Sequence, residues 1–113
     1  MSREIVNAKL QERDERRQAR DLTDFQAMLK HAHVRRQLWR VLAEAGTFAS
    51  SFDADRPHMT SFNEGQRKVG NYLLAQIMGA SPEAFAQMQR EAASQQAEDK
   101  LFKEKLMKDH LEE

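Results

Sequence analysis

Val34-Arg35-Arg36-Gln37-Leu38-Trp39-Arg40-Val41-Leu42-Ala43-Glu44-Ala45-Gly46 is the stretch that decides the fold. Val34, Leu38, Val41, Leu42 and Ala45 recur at helical spacing, with polar residues between them. Gly46 stands where a left-handed C′ residue stops a helix. Upstream, Leu22, Phe25, Met28 and Leu29 form a stripe of the same period but a different phase, so a bend or short turn is expected near Ala32. Thr23-Asp24-Phe25-Gln26 fits a capping box that opens this stripe.

Downstream, residues 47–60 read as a loop. Phe48, Phe52 and Met59 are too apolar for free solvent, so the loop is expected to fold back onto the helices. Ser61-Phe62-Asn63-Glu64 offers a second capping box. Val69, Leu73 and Ile77 then share a face, with Leu74 and Met78 beside them. Gly70 costs about 1 kcal/mol inside such a helix relative to Ala, which a close helix–helix approach offsets. Gly79 is expected to end it. Ser81-Pro82-Glu83 restarts the chain with an N-cap, a proline at N1 and an acid in the first turn. From there the pattern stays helical to nearly residue 111, with Phe85, Met88 and Ala92 packing on the core.

The two ends differ from this middle. Residues 2–20 carry six basic and four acidic side chains, and their apolar residues are Ile5, Val6 and Leu10. Without an apolar stripe that segment cannot bury itself against a core. At the other end, residues 94–100 have almost nothing to bury. Leu101, Phe102, Leu106, Met107 and Leu111 then bring apolar character back, about 20 Å beyond the core at 1.5 Å per residue. That gap is how a helix reaches a partner. The expected organisation is an all-α fold: a charged helical arm (1–21), a compact core of three to four helices (22–93), and a protruding C-terminal helical extension for partner contact (94–113).

Composition bounds the chemistry. The 113 residues hold 18 Lys plus Arg and 18 Asp plus Glu, so the net charge is zero, which argues against a protein devoted to coating nucleic acid or an anionic membrane. With no cysteine, disulfides, thiol catalysis and cysteine-based metal sites are excluded. No apolar run has the length of a signal peptide or a bilayer span, so the expectation is a soluble intracellular protein that touches no membrane. His31 and His33, two apart, would point to opposite sides of a helix, and His58 and His110 lie far off, so no metal is expected. No phosphate-cradling glycine loop or paired catalytic group is evident. An enzyme, a small-molecule substrate and a cofactor are therefore not expected. Contact with nucleic acid has more to recommend it. No acid interrupts the chain between Asp24 and Glu44, or between Glu64 and Glu83. Lys30, Arg35, Arg36, Arg40, Arg67 and Lys68 fall in those intervals and would form one basic face if the helices pack together.

Leu38-Trp39-Arg40-Val41-Leu42, Gly46, Ser51-Phe52, Phe62-Asn63-Glu64-Gly65-Gln66-Arg67, Val69-Gly70 and Leu74 occur in that order. Together they resemble a small domain of short-tailed phages, a family typified by a Bordetella phage protein encoded among virion-structure genes. The resemblance covers roughly residues 25–93. It implies a structural or morphogenetic role, with the chain itself or phage head or portal proteins as partners. The implied place is the host cytoplasm during assembly, with retention in the virion left open. The alternative is a small nucleic-acid-binding or DNA-packaging accessory that uses the basic residues. Neither reading invokes a catalytic group, and the spacing of the residues by itself places Trp39 and Phe62 in the core.

Overall fold

The computed structural model describes residues 2–49 and 56–111. Among these it contains four helices and no strand: α1 (Arg3–Met28), α2 (Ala32–Glu44), α3 (Pro57–Ala80) and α4 (Pro82–Leu111). The protein is all-α, as its sequence pattern predicts.

The arm and the first core stripe are one continuous helix. Ser2 caps it, its hydroxyl accepting from the Ile5 amide at 3.3 Å. No glycine or proline lies between Ser2 and His31 to break it. The capping box expected at Thr23 does not form. The Thr23 hydroxyl instead donates to the Ala19 carbonyl at 3.0 Å, a back-bond that keeps a threonine inside a helix. The expected turn near Ala32 is present: α1 gives out at Leu29, the Lys30 and His31 amides close a tight turn onto Ala27 and Met28, and α2 starts at Ala32.

Gly46 ends α2 as its position predicts, with φ +72°. Its amide donates to the Ala43 carbonyl at 3.1 Å and that of Thr47 to the Leu42 carbonyl at 3.2 Å. This pair of bonds is the Schellman arrangement, which uses two carbonyls the helix would otherwise leave unpaired. The loop that follows is shorter than expected because α3 starts at Pro57, four residues before Ser61. Proline at the first helical position has φ preset and lacks an N–H the helix could not use there. Gly79 does not stop α3, which runs through it to Ala80. The break falls at Ser81, in extended conformation at φ −162° and ψ 97°. Ser81 then caps α4, its hydroxyl accepting from the Ala84 amide at 3.1 Å. Gln26 of α1 donates from Nε2 to the Ala80 carbonyl at 2.9 Å and so satisfies one of the unpaired carbonyls at the end of α3.

Leu29, Leu42, Ile77, Ala80, Ala84 and Met88 form the buried core, with Phe25, Leu38, Trp39, Leu73, Leu74 and Phe85 packed around it. The core is narrower than the apolar spacing implies. Leu22, Met28, Val41, Phe62, Val69 and Met78 are exposed. For α3 the cause is plain. Its inward face runs through Asn63, Arg67, Gly70, Leu74 and Ile77, so Phe62 and Val69 fall on the other side. Phe62 is thus not a core residue, whereas Trp39 packs against the core. Phe48 is half out in solvent, yet its ring stacks on Trp39 with centroids 5.0 Å apart. Met59 is half-buried, and Phe52 lies outside the described residues.

Residues 2–24 and 93–111 are exposed throughout. The radius of gyration is 21.1 Å, against about 13 Å for a compact domain of this length. The longest dimension is 84 Å. That matches the two terminal helices laid end to end, about 39 Å and 45 Å at 1.5 Å per residue. Since Gln26 holds the end of α1 against the end of α3, the arm and the extension leave that junction in opposing directions.

At Gly70, α3 packs tightly against the end of α2. A Cβ there would overlap the Thr47 hydroxyl and come within 3.0 Å of the Ala45 Cβ. Gly70→Ala is expected to destabilise the protein by about 2 kcal/mol in urea unfolding, through overpacking. Thr47→Ala should restore part of that loss, because the Thr47 hydroxyl is buried without a hydrogen-bond partner.

Candidate interaction surfaces

The C-terminal extension carries its apolar side chains in solvent. Leu101, Phe102 and Leu111 are about two-thirds exposed or more, and Leu106 and Met107 close to half. They do not form the single patch that a linear reading suggests. At about 100° per residue, Phe102 and Leu106 make one stripe and Met107 and Leu111 a second, about 140° away around the helix. Leu101 lies on a third side. Gln95 and Asp99 are bonded side chain to side chain at 2.9 Å, one turn apart, in the polar stretch before them. On the arm, Ile5, Val6 and Leu10 are likewise exposed, and Arg16 lies 3.8 Å from the carboxylate of Glu12, one turn before it.

The six basic candidates do not assemble into one free face. Arg35 is buried. Its Nε donates to Glu91 Oε1 of α4 at 2.7 Å and its Nη1 to the Leu29 carbonyl at 2.9 Å. The absence of acid from residues 25–43 concealed this pairing, because the carboxylate comes from a helix more than fifty residues later. Two further candidates are next to carboxylates on their own helices: Arg40 with Glu44 at 3.7 Å, and Arg67 with Glu64 at 3.9 Å. Lys30, Arg36 and Lys68 are exposed. Arg36 and Arg40 do share a groove of about 560 Å³ between α2 and α4. Its floor includes Trp39, Met88 and Ala92, and its far wall brings Glu91 and Glu98, so the groove carries both signs of charge.

His31 precedes α2 instead of lying within it, so the His31 and His33 rings come within 5.5 Å of each other rather than pointing apart. Among the described residues, however, no group of three or more His, Asp or Glu side chains is placed to hold a metal ion. No helix among them is long and apolar enough to cross a membrane. The groove between α2 and α4 brings together guanidinium groups, carboxylates, amides, the Ser94 hydroxyl and an indole.

An all-α chain with a small core and two long exposed helices is a class of protein built around its surface. The profile of the Bbp19-like phage proteins matches residues 25–90, more than half of the chain, and the protein belongs to that family. It is a bacteriophage protein. No curated protein and no solved structure matches the chain. The matched span coincides with the packed helices, from Phe25, the first half-buried residue, almost to Ala92, the last. The arm and the apolar end of α4 lie outside it.

The Arg35–Glu91 bond is expected to matter for stability and the exposed arginine beside it is not. Arg35→Ala should cost about 3 kcal/mol in chemical denaturation, since it strands a partly buried carboxylate and frees the Leu29 carbonyl. Arg36→Ala should change stability by less than about 0.5 kcal/mol.

Proposed function

We propose that the protein is a non-enzymatic structural or morphogenetic component of the phage, which joins neighbouring subunits or head or portal components through its helical extensions. The observation that carries this reading is the exposure of Leu101, Phe102, Leu106, Met107 and Leu111 on the last turns of α4, where every residue from 93 to 111 is exposed. The exposed surface totals 9166 Å², against about 6,400 Å² for a compact monomer of this mass. The excess, roughly 2,800 Å², exceeds the share one partner contributes to a standard interface, about 800 Å². Burying each large apolar side chain would contribute about 1.5–3 kcal/mol.

The distribution of these side chains favours a particular kind of contact. A helix that lies in one groove needs one stripe. This one has apolar residues on three sides, so it suits insertion between two neighbours. Membership of a phage family supports the setting, in which many identical contacts are repeated around a particle.

Replacing Leu101, Phe102 and Leu106 together by Ser, Gln and Gln should abolish co-assembly with particles and leave the thermal midpoint within about 2 °C of the parent, because none of the three packs on the core. Peptide mass spectrometry on purified procapsids and DNA-filled virions measures co-assembly directly. Its presence in either particle is expected, and absence from both overturns the reading. A variant that co-assembles normally overturns the role given to the extension.

A further inference from the structure

The outward face of α3 carries Phe62, Gly65, Val69, Tyr72, Gln76 and Gly79, all exposed. Phe62, Val69 and Gln76 recur every seven residues, and Gly65, Tyr72 and Gly79 repeat the interval three places on. That is the a/d spacing of a helix–helix seam. None of the six is charged, in a chain where 32% of residues are. The glycines sharpen the point. Gly70 is required by Thr47, but a Cβ at Gly65 or Gly79 would meet nothing within 4 Å. Glycine weakens a helix, and here nothing among the described residues accounts for it. Beside Gly79 runs a groove of about 520 Å³ between α1 and α3, lined by Leu22, Phe25, Met28 and Leu73, with the carboxylates of Asp21 and Asp24 on its α1 side.

We propose that this seam docks a second copy of the chain, with the two α3 helices antiparallel. In antiparallel seams an a position of one helix faces a d position of the other. The register that pairs Val69 with Tyr72 of the second copy then sets Phe62 over Gly79 and Gln76 over Gly65. Both glycine layers thus take a large side chain from the opposite copy, and two-fold symmetry repeats all three pairings. Phe62 enters the groove beside Gly79 and covers Leu22 and Met28, which the single chain leaves in water. A parallel pairing would stack Phe62 on Phe62 and glycine on glycine, with crowding at one layer and voids at two. An uncharged face meets its own copy without repulsion, whereas a charged partner would lose hydration on it for no return. The residues involved are separate from the α4 extension, so this contact stands or falls independently of what the extension binds.

Analytical ultracentrifugation of the full chain is expected to show a dimer at micromolar concentration. Gly79→Leu fills the notch that receives Phe62 and should yield a monomer with an unchanged or higher thermal midpoint, since leucine strengthens a helix. Orientation is read by disulfide trapping, for which the cysteine-free chain is a clean background. Gly65→Cys with Gln76→Cys should give a cross-linked dimer on mild oxidation, and neither single variant should. The two positions lie about 16 Å apart along one helix, too far to bridge within a chain. The proposal is overturned by a monomer throughout the concentration range, by a dimer indifferent to Gly79→Leu, or by cross-linking of Gly65→Cys alone.

Discussion

The bond from Arg35 to Glu91 is the constraint on which the arrangement of helices depends. α2 is only 13 residues long and would be marginal by itself. Arg35 ties its first turn to α4 through the carboxylate and to the end of α1 through the Leu29 carbonyl. One guanidinium therefore fixes three elements at one point. It also brings Leu29, Leu42 and Met88 together, three of the six side chains that make up the buried core. A planar fork of donors is suited to this, because it serves an anion and a carbonyl at once without moving.

The remaining junctions have the same economy. Gln26 closes the end of α3, Ser81 closes the start of α4, and Gly46 lets α2 turn back on two amide bonds. Each uses backbone groups that a helix terminus leaves unpaired. With so few buried apolar side chains, this satisfaction of polar groups at the elbows is what gives the helices defined directions. Gly70 adds the close approach of α3 to α2 that a larger residue would prevent.

Much of this was legible in the sequence, for local reasons. Gly46, the turn before Ala32 and the Ser81-Pro82-Glu83 restart depend on adjacent residues, and the structure places them as read. Leu38, Leu42, Leu73, Ile77 and Met88 follow from helical spacing. The misreadings share one cause. Thr23, Ser61 and Gly79 each carry the chemistry of a helix boundary, but nothing at Thr23 or Gly79 forbids continuation, and Pro57 had already begun α3 before Ser61. Arg35 reads as a surface residue because its partner is distant in sequence. Phe62 reads as a core residue because spacing shows that a face is apolar without showing what covers it. The apolar end of α4 was visible as a cluster, and its distribution around the helix emerges only when residues are placed by angle.

The lack of any break in α1 has a further mechanical meaning. A jointed arm would let whatever grips Ile5, Val6 and Leu10 sit at a range of distances from the core. A single rod of 26 residues, clamped at one end by Gln26 and Arg35, does not. With α4 running the other way from the same junction, the molecule measures 84 Å in its longest dimension. Under the proposed role, bodies that held its two ends would be kept at a separation written in the count of helical residues, and inserting or removing one turn in the arm would reset it by about 5.4 Å.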